Sequence, residues 1–144
     1  MTRFLLETSI ISEFTKPVRS KQLIGWLADQ DDEDLFISSL TIAEIKRGIL
    51  LLPSGKRRRD LERWFEGPDG PQMLFAGRIL SFDEHAAILW AELMAEGQAR
   101  GRPRSALDTI IGAIALTNGC VLVTSNERDF AGIGTFNPAK PQVS

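Results

Sequence analysis

Two short apolar runs near opposite ends of the chain, Phe4-Leu5-Leu6 and Val121-Leu122-Val123, decide most of what it can fold into. A run without polar alternation suits a strand covered on both faces, the position of a central strand in a parallel sheet. Leu35-Phe36-Ile37-Ser38 and Ile79-Leu80-Ser81-Phe82 read as two further short strands, and Ile133 to Phe136 as an edge strand. Helical patterns separate them. Ser9 is expected to cap a short helix through Phe14, ended by Pro17, and Ser20 to Gln30 is amphipathic. Thr41-Ile42-Ala43-Glu44 matches a capping box opening a helix to about Leu51, and a basic helix covers Lys56 to Glu66. A long helix runs from Asp83 to about Arg100. An almost wholly apolar one follows Ser105 and stops at Asn118-Gly119. Strands alternating with helices predict a three-layer α/β/α sandwich around a central, mostly parallel sheet of about five strands. One domain is expected over residues 1–144, with a loose Pro-containing tail.

Composition removes several classes of function. No apolar run approaches the ~18 residues of a membrane span, and the opening residues lack a basic-then-apolar leader, so a cytoplasmic setting is expected. The single Cys120 excludes an internal disulfide and a multi-thiolate zinc site, and the single His85 excludes a His-rich one. Any metal here would be held by oxygen, which favours magnesium or manganese. The formal net charge of -2 rules out a bulk polycation, yet Lys56-Arg57-Arg58-Arg59 and Arg100, Arg102, Arg104 are local basic groups able to hold phosphates. Either group is equally well read as solvated surface.

The acidic residues fall at one end of the β-α units. Glu7 follows the first strand, Glu44 lies early in a helix after a strand, and Asp108 lies in the first turn of the buried helix. Asn126 and Asp129 follow the last central strand. In parallel α/β sheets this carboxyl edge is where ligands bind. Crowded carboxylates raise one another's pKa unless a cation neutralises them, and a divalent ion that activates water would make the chemistry phosphodiester hydrolysis. The competing reading is capping: Asp and Glu in first turns suit the helix dipole, and Glu7 or Glu44 would serve as caps whatever the function. Asp108 is harder to explain that way, because Ser105 already fills the cap.

The same residues resemble a known family. Phe4 to Glu13, F-L-L-E-T-S-I-I-S-E, is similar to the opening motif of PIN-domain proteins, L-L-D-T-N-x-x-S-E. Ser39 to Gly48 resembles that family's second acidic motif, Asp108 to Ala115 its third, and Leu122 to Phe130 its fourth. Order and spacing agree over nearly the whole chain, and the likeness is greatest to VapC-type ribonuclease toxins of the FitB-like branch of toxin–antitoxin systems. The resemblance implies a Mg²⁺- or Mn²⁺-dependent endoribonuclease, a homodimer restrained by a VapB-type antitoxin that alone binds DNA. It assigns metal contact to Glu7, Glu44, Asp108 and Asn126, with Asp129 as an added catalytic carboxylate. Thr8, Ser9 and Thr124 become supporting hydroxyls. Arg102 and Arg104, just before Asp108, are favoured for RNA phosphate contact.

Three departures stand out: Glu7 replaces the family's Asp, Ser9 its usual Asn, and Ser125 a common Arg. An added methylene moves a carboxylate by roughly an ångström, a shift able to cost ~10²-fold in rate. The alternative is therefore a catalytically impaired PIN-like module that docks an antitoxin and contributes to operon repression. A receiver-like phosphoacceptor fits poorly, since the first strand ends in one acid rather than a pair. A Ser or Cys triad lacks a nucleophile beside His85. Trp26, Trp64 and Trp90 sit in amphipathic stripes that suit core or interface.

Overall fold

The computed structural model describes residues 1–140. Five strands form one sheet in the order β3-β2-β1-β4-β5, with every neighbouring pair parallel. They are β1 (Arg3–Leu6), β2 (Leu35–Ser38), β3 (Ile79–Leu80), β4 (Cys120–Val123) and β5 (Thr135–Phe136). The α/β sandwich read from the sequence is the observed architecture, its sheet wholly rather than mostly parallel.

β1 and β4 are the paired central strands, in register from Arg3 with Cys120 to Leu6 with Val123. Neighbouring residues of a strand face opposite ways, and the core divides accordingly. Leu6 and Val123 join Ile10, Ile11, Ile37, Ile45 and Ile49 on one side. Leu5 and Leu122 join Ile111, Ala115, Phe130 and Ile133 on the other. The first side is covered by α1 (Thr8–Glu13), α2 (Lys21–Ala28), α3 (Ser39–Leu50) and α4 (Lys56–Glu66). The second is covered by α6 (Glu84–Ala99) and α7 (Ala106–Thr117). Gly119, at φ 65°, makes the left-handed stop between α7 and β4. No helix among the described residues is long and apolar enough to cross a membrane.

Three local expectations need correction. Ser9 does not cap α1; Glu7 does, because the helix starts two residues earlier and the Glu7 side chain accepts from the Ser9 backbone N–H. Thr41 and Glu44 are not a capping box: Ser38 is the cap, its hydroxyl accepting from Thr41 N, and Glu44 lies in the second turn. A further short helix, α5 (Pro71–Leu74), follows α4. The tail is anchored as far as it is described: Asn137 is buried and Lys140 pairs with Glu127 at 2.9 Å. Residues 141–144 lie outside the described residues.

Gly70, between α4 and α5, has no room for a side chain. A Cβ there would stand 2.3 Å from the Phe65 carbonyl oxygen and 2.4 Å from that of Trp64, both backbone atoms. Gly70→Ala must therefore push the two helices apart. Overpacking of this kind costs about 1–3 kcal/mol, which a lowered midpoint in urea unfolding at an unchanged slope would report.

Candidate active site

The sheet reverses its direction of growth between β1 and β4, since the chain adds β2 and β3 on one side of β1 and returns with β4 on the other. A crevice opens at the carboxyl ends of strands at such a switch point. Glu7 and Thr124, the residues just past the two strands, meet there, with Glu7 N donating to Val123 O at 2.9 Å.

Glu7 is only 6% exposed, and three donors hold its carboxylate. Ser9 Oγ donates to Oε1 at 2.6 Å, Thr124 Oγ1 donates to the same oxygen at 2.5 Å, and Ser9 N donates to Oε2 at 3.2 Å. Both hydroxyls are themselves fixed. Ser125 N donates to Ser9 Oγ at 3.1 Å, and Asn126 N donates to Thr124 Oγ1 at 3.0 Å. Capping and site-building are thus the same interaction at Glu7: the carboxylate that starts α1 also ties it to the loop after β4. Its Oε2 carries only the longer bond.

Glu44 belongs to a second hydroxyl chain. Thr8 Oγ1 donates to Glu44 Oε1 at 2.6 Å and lies 3.0 Å from Thr41 Oγ1. With its one proton committed to Glu44, Thr8 must accept from Thr41, which in turn accepts from Ser38 Oγ at 3.3 Å. Ser38 and Thr41 are fully buried. The sequence reading gave neither a place in the site, although Ser38 ends β2 on the same edge where Glu7 ends β1.

Asp108 stands in the first turn of α7, half-buried, with Ser105 as cap. Burial pushes its carboxyl above the usual range, and the negative charges of Asp129 and then Glu7 push the same way, against a hydrogen bond from Ser105. Asp129 rides on the single 3-10 turn Glu127–Phe130 after β4 and lines a cavity of about 370 Å³ with Asp108. The other carboxylate of that turn is spent elsewhere: Glu127 pairs with Lys140 and accepts from Thr135 Oγ1 at 3.2 Å, and the lysine holds its carboxyl below the usual range. Asn126 is exposed and joins the site through its backbone N–H.

Glu7, Asp108 and Asp129 therefore form one electrostatic group, with Glu44 beside Thr8 as a separate member. Among the described residues no three acidic, histidine or cysteine side chains converge closely enough to enclose an ion. The donor set still suits a hard cation, since every candidate atom is oxygen and the crowding at Asp108 is of the sort a divalent charge relieves. Magnesium needs only one or two carboxylates, the remainder being water.

Of the candidate arginines, Arg102 is exposed, whereas Arg104 is built into the fold. Arg104 Nη1 donates to Ala131 O at 2.6 Å, its Nε is buried without a partner, and its stem packs against Gly97. Arg128, which the sequence reading passed over, lines the same cavity.

An all-parallel α/β sheet with carboxylates gathered at its switch point defines a class of α/β folds that bind ligands at the carboxyl edge. Within it, the PIN domain model matches residues 4–135, and the chain belongs to the PIN-domain family. Toxin FitB of Neisseria gonorrhoeae is 35% identical over 136 residues, covering 93% of this chain and 96% of that protein. VapC ribonuclease Y4jK of Sinorhizobium fredii is 34% identical over 139 residues, covering 95% and 98%. A solved FitAB assembly bound to an IR36 DNA fragment contains a chain that superposes with a TM-score of 0.87 at 32% identity, covering 97% of this chain and 98% of that one.

Proposed function

We propose that this protein is the toxin of a VapBC/FitAB-type toxin–antitoxin pair, an endoribonuclease that hydrolyses RNA phosphodiester bonds with Mg²⁺ or Mn²⁺ in the bacterial cytoplasm. The observation that carries this reading is the placement of Glu7, bonded to Thr124 at the β1/β4 switch point, with Asp108 and Asp129, which line one cavity and of which Asp108 feels the Glu7 charge. Its support in kind is the similarity to a named VapC ribonuclease and a named toxin along almost their full lengths. Asp108 and Asp129 would hold the ion with Glu7 Oε2, and Glu44 and Asn126 would complete its surroundings. A bound divalent ion supplies charge neutralisation at the phosphate and lowers the pKa of water. This chain's residues do the positioning. Ser9 and Thr124 fix the Glu7 carboxylate, Thr8 fixes that of Glu44, and the buried wall of α7 keeps Asp108 at the rim.

A VapB-type antitoxin is the expected partner, DNA being engaged through it, and the active form is a homodimer. The test is cleavage of structured RNA by the purified protein with Mn²⁺, Mg²⁺ or excess EDTA. Cleavage that EDTA does not stop, or none with either metal, would overturn the reading. A specific observation favours the second reading, an inactive antitoxin-docking module: Glu7 already satisfies three donors, and the acids do not close on one point. Antitoxin binding without cleavage would establish it.

The hydroxyl chain behind Glu44 gives a finer expectation. Thr8→Val keeps shape but removes the donor, leaving Glu44 Oε1 and Thr41 Oγ1 without their partner. Loss of such a support to a metal-site carboxylate costs about 10–100-fold in activity or metal affinity. Excess Mn²⁺ should recover part of the Thr8→Val loss if affinity is what falls.

A further inference from the structure

The cavity beside Asp108 and Asp129 contains opposite charges that do not pair. Its walls include Arg102, Arg104 and Arg128. None of the three forms an ion pair with either carboxylate. Guanidinium and carboxylate groups sharing one concavity would ordinarily close on each other. Here they line one space of about 370 Å³ without pairing, roughly a dozen waters at ~30 Å³ each.

The three arginines are not equivalent. Arg104 is fixed by its bond to Ala131 O and by close packing at Gly97 and Gly132, where a Cβ would come within 3.3 Å of Nη2. Arg102 and Arg128 are exposed, and their guanidinium groups make no hydrogen bond or ion pair among the described residues, Arg102 being tied only through its backbone N–H to Gly97 O at 2.8 Å. They approach from different segments, one just before α7 and one in the turn after β4. Part of the basic charge elsewhere is spent within α4, where Lys56 pairs with Asp60 at 2.6 Å and Arg58 with Glu62 at 2.7 Å, whereas Arg57 lines a separate cavity with Thr8 and Glu44. Arg100, at the cavity mouth, leans on Glu96 at 3.6 Å.

We infer that Arg102 and Arg128 grip a phosphate of bound RNA next to the one that is cleaved, with Arg104 as the scaffold that keeps the cavity open between them. This rests on the ribonuclease reading and extends it to how the strand lies. Guanidinium forks match phosphate oxygens in pairs of hydrogen bonds. The scissile phosphate belongs on the carboxylate side, where a cation must offset Asp108 and Asp129. The arginine side needs no cation, and so takes the neighbouring phosphate.

The test is fluorescence anisotropy of a short single-stranded RNA titrated with the full chain in EDTA over a range of KCl concentrations. Each phosphate contact on a single strand contributes about 0.7 to the slope of log affinity against log salt. The double variant Arg102→Ala/Arg128→Ala should lower that slope by about 1.4, and Arg102→Lys/Arg128→Lys should keep most of it. Arg104→Ala should instead lower the melting temperature. An unchanged slope in the alanine pair, while the wild type binds and cleaves RNA, would overturn the inference and leave the ribonuclease reading standing. A lowered slope with no cleavage by the wild type would uphold the phosphate grip and overturn the nuclease chemistry. No RNA binding by the wild type in EDTA, beside normal cleavage with Mn²⁺, would overturn the phosphate grip alone. Loss of binding to an oligoglutamate peptide, with the RNA slope untouched, would reassign the cavity to a peptide carboxylate.

Discussion

Asp108→Asn is expected to cut metal-dependent RNA cleavage by at least ~10²-fold and, in chelator, to lessen the stability that the protein loses as pH rises. Changes one step removed from a metal ligand already cost about 10–100-fold, so removing a charged ligand belongs at or beyond the top of that span. The stability effect follows from the raised carboxyl. Burial is the leading cause, and repulsion from Asp129 and Glu7 adds to it. The folded state thus binds this proton more tightly than the unfolded chain does. Its contribution is fully present below the ordinary aspartate range and is lost as pH climbs through the raised folded value. Wild type in EDTA should lose melting temperature across that window, and the Asn variant should lose less. Divalent ion should restore the wild type alone, because a ligand of the folded state stabilises it. An Asn variant that cleaves normally, or two matching pH profiles, would remove Asp108 from the site.

The opposed effects on activity and stability match how the site was and was not visible in the sequence. The central strands were legible because burial on both faces leaves no polar alternation, as at Phe4-Leu5-Leu6 and Val121-Leu122-Val123. Lys56–Glu66 and Leu35–Ser38 fall where their patterns placed them. Helix starts were misread where two caps compete within a few residues: Ser38-x-x-Thr41 wins over Thr41-x-x-Glu44 because Ser38 ends the strand and has the extended backbone a cap requires. What local pattern could not give is pairing at a distance. Thr124 reaches Glu7 across 117 residues and Thr8 reaches Glu44 across 36. Neither the Ser38–Thr41–Thr8 hydroxyl chain nor Arg128 opposite Arg102 has a signature within one segment. The resemblance to PIN-domain proteins identified which acids to compare. The structure adds that Asp129 and Glu7 both act on the Asp108 carboxyl and that Glu44 is held by a hydroxyl chain of its own.

Glu7→Gln should reduce cleavage by ~10²-fold or more and lower stability by about 1–3 kcal/mol, the two losses having different origins. The carboxylate takes two hydroxyl bonds on Oε1 and one backbone bond on Oε2. A neutral amide keeps one acceptor oxygen and turns an NH₂ toward whatever faced the other. Rotating hydroxyls can recover some of this, but the Ser9 N–H cannot rotate, and it is the donor that starts α1. Removing the negative charge also relieves Asp108, yet Glu7 is the smallest of the influences on that carboxyl, so the lost hydrogen bonds outweigh the gain. The melting temperature should fall by several degrees. Glu7→Asp separates charge from reach. It keeps a carboxylate and a competent cap while drawing the oxygens back by roughly an ångström, so the fold should survive it. If the Glu form cleaves, the hydroxyls of Ser9 and Thr124 have adapted the site to the longer side chain. If only the Asp form cleaves, the same three bonds have instead locked Glu7 into capping, and the chain is an antitoxin-docking module whose chemistry was lost at the residue that starts its first helix.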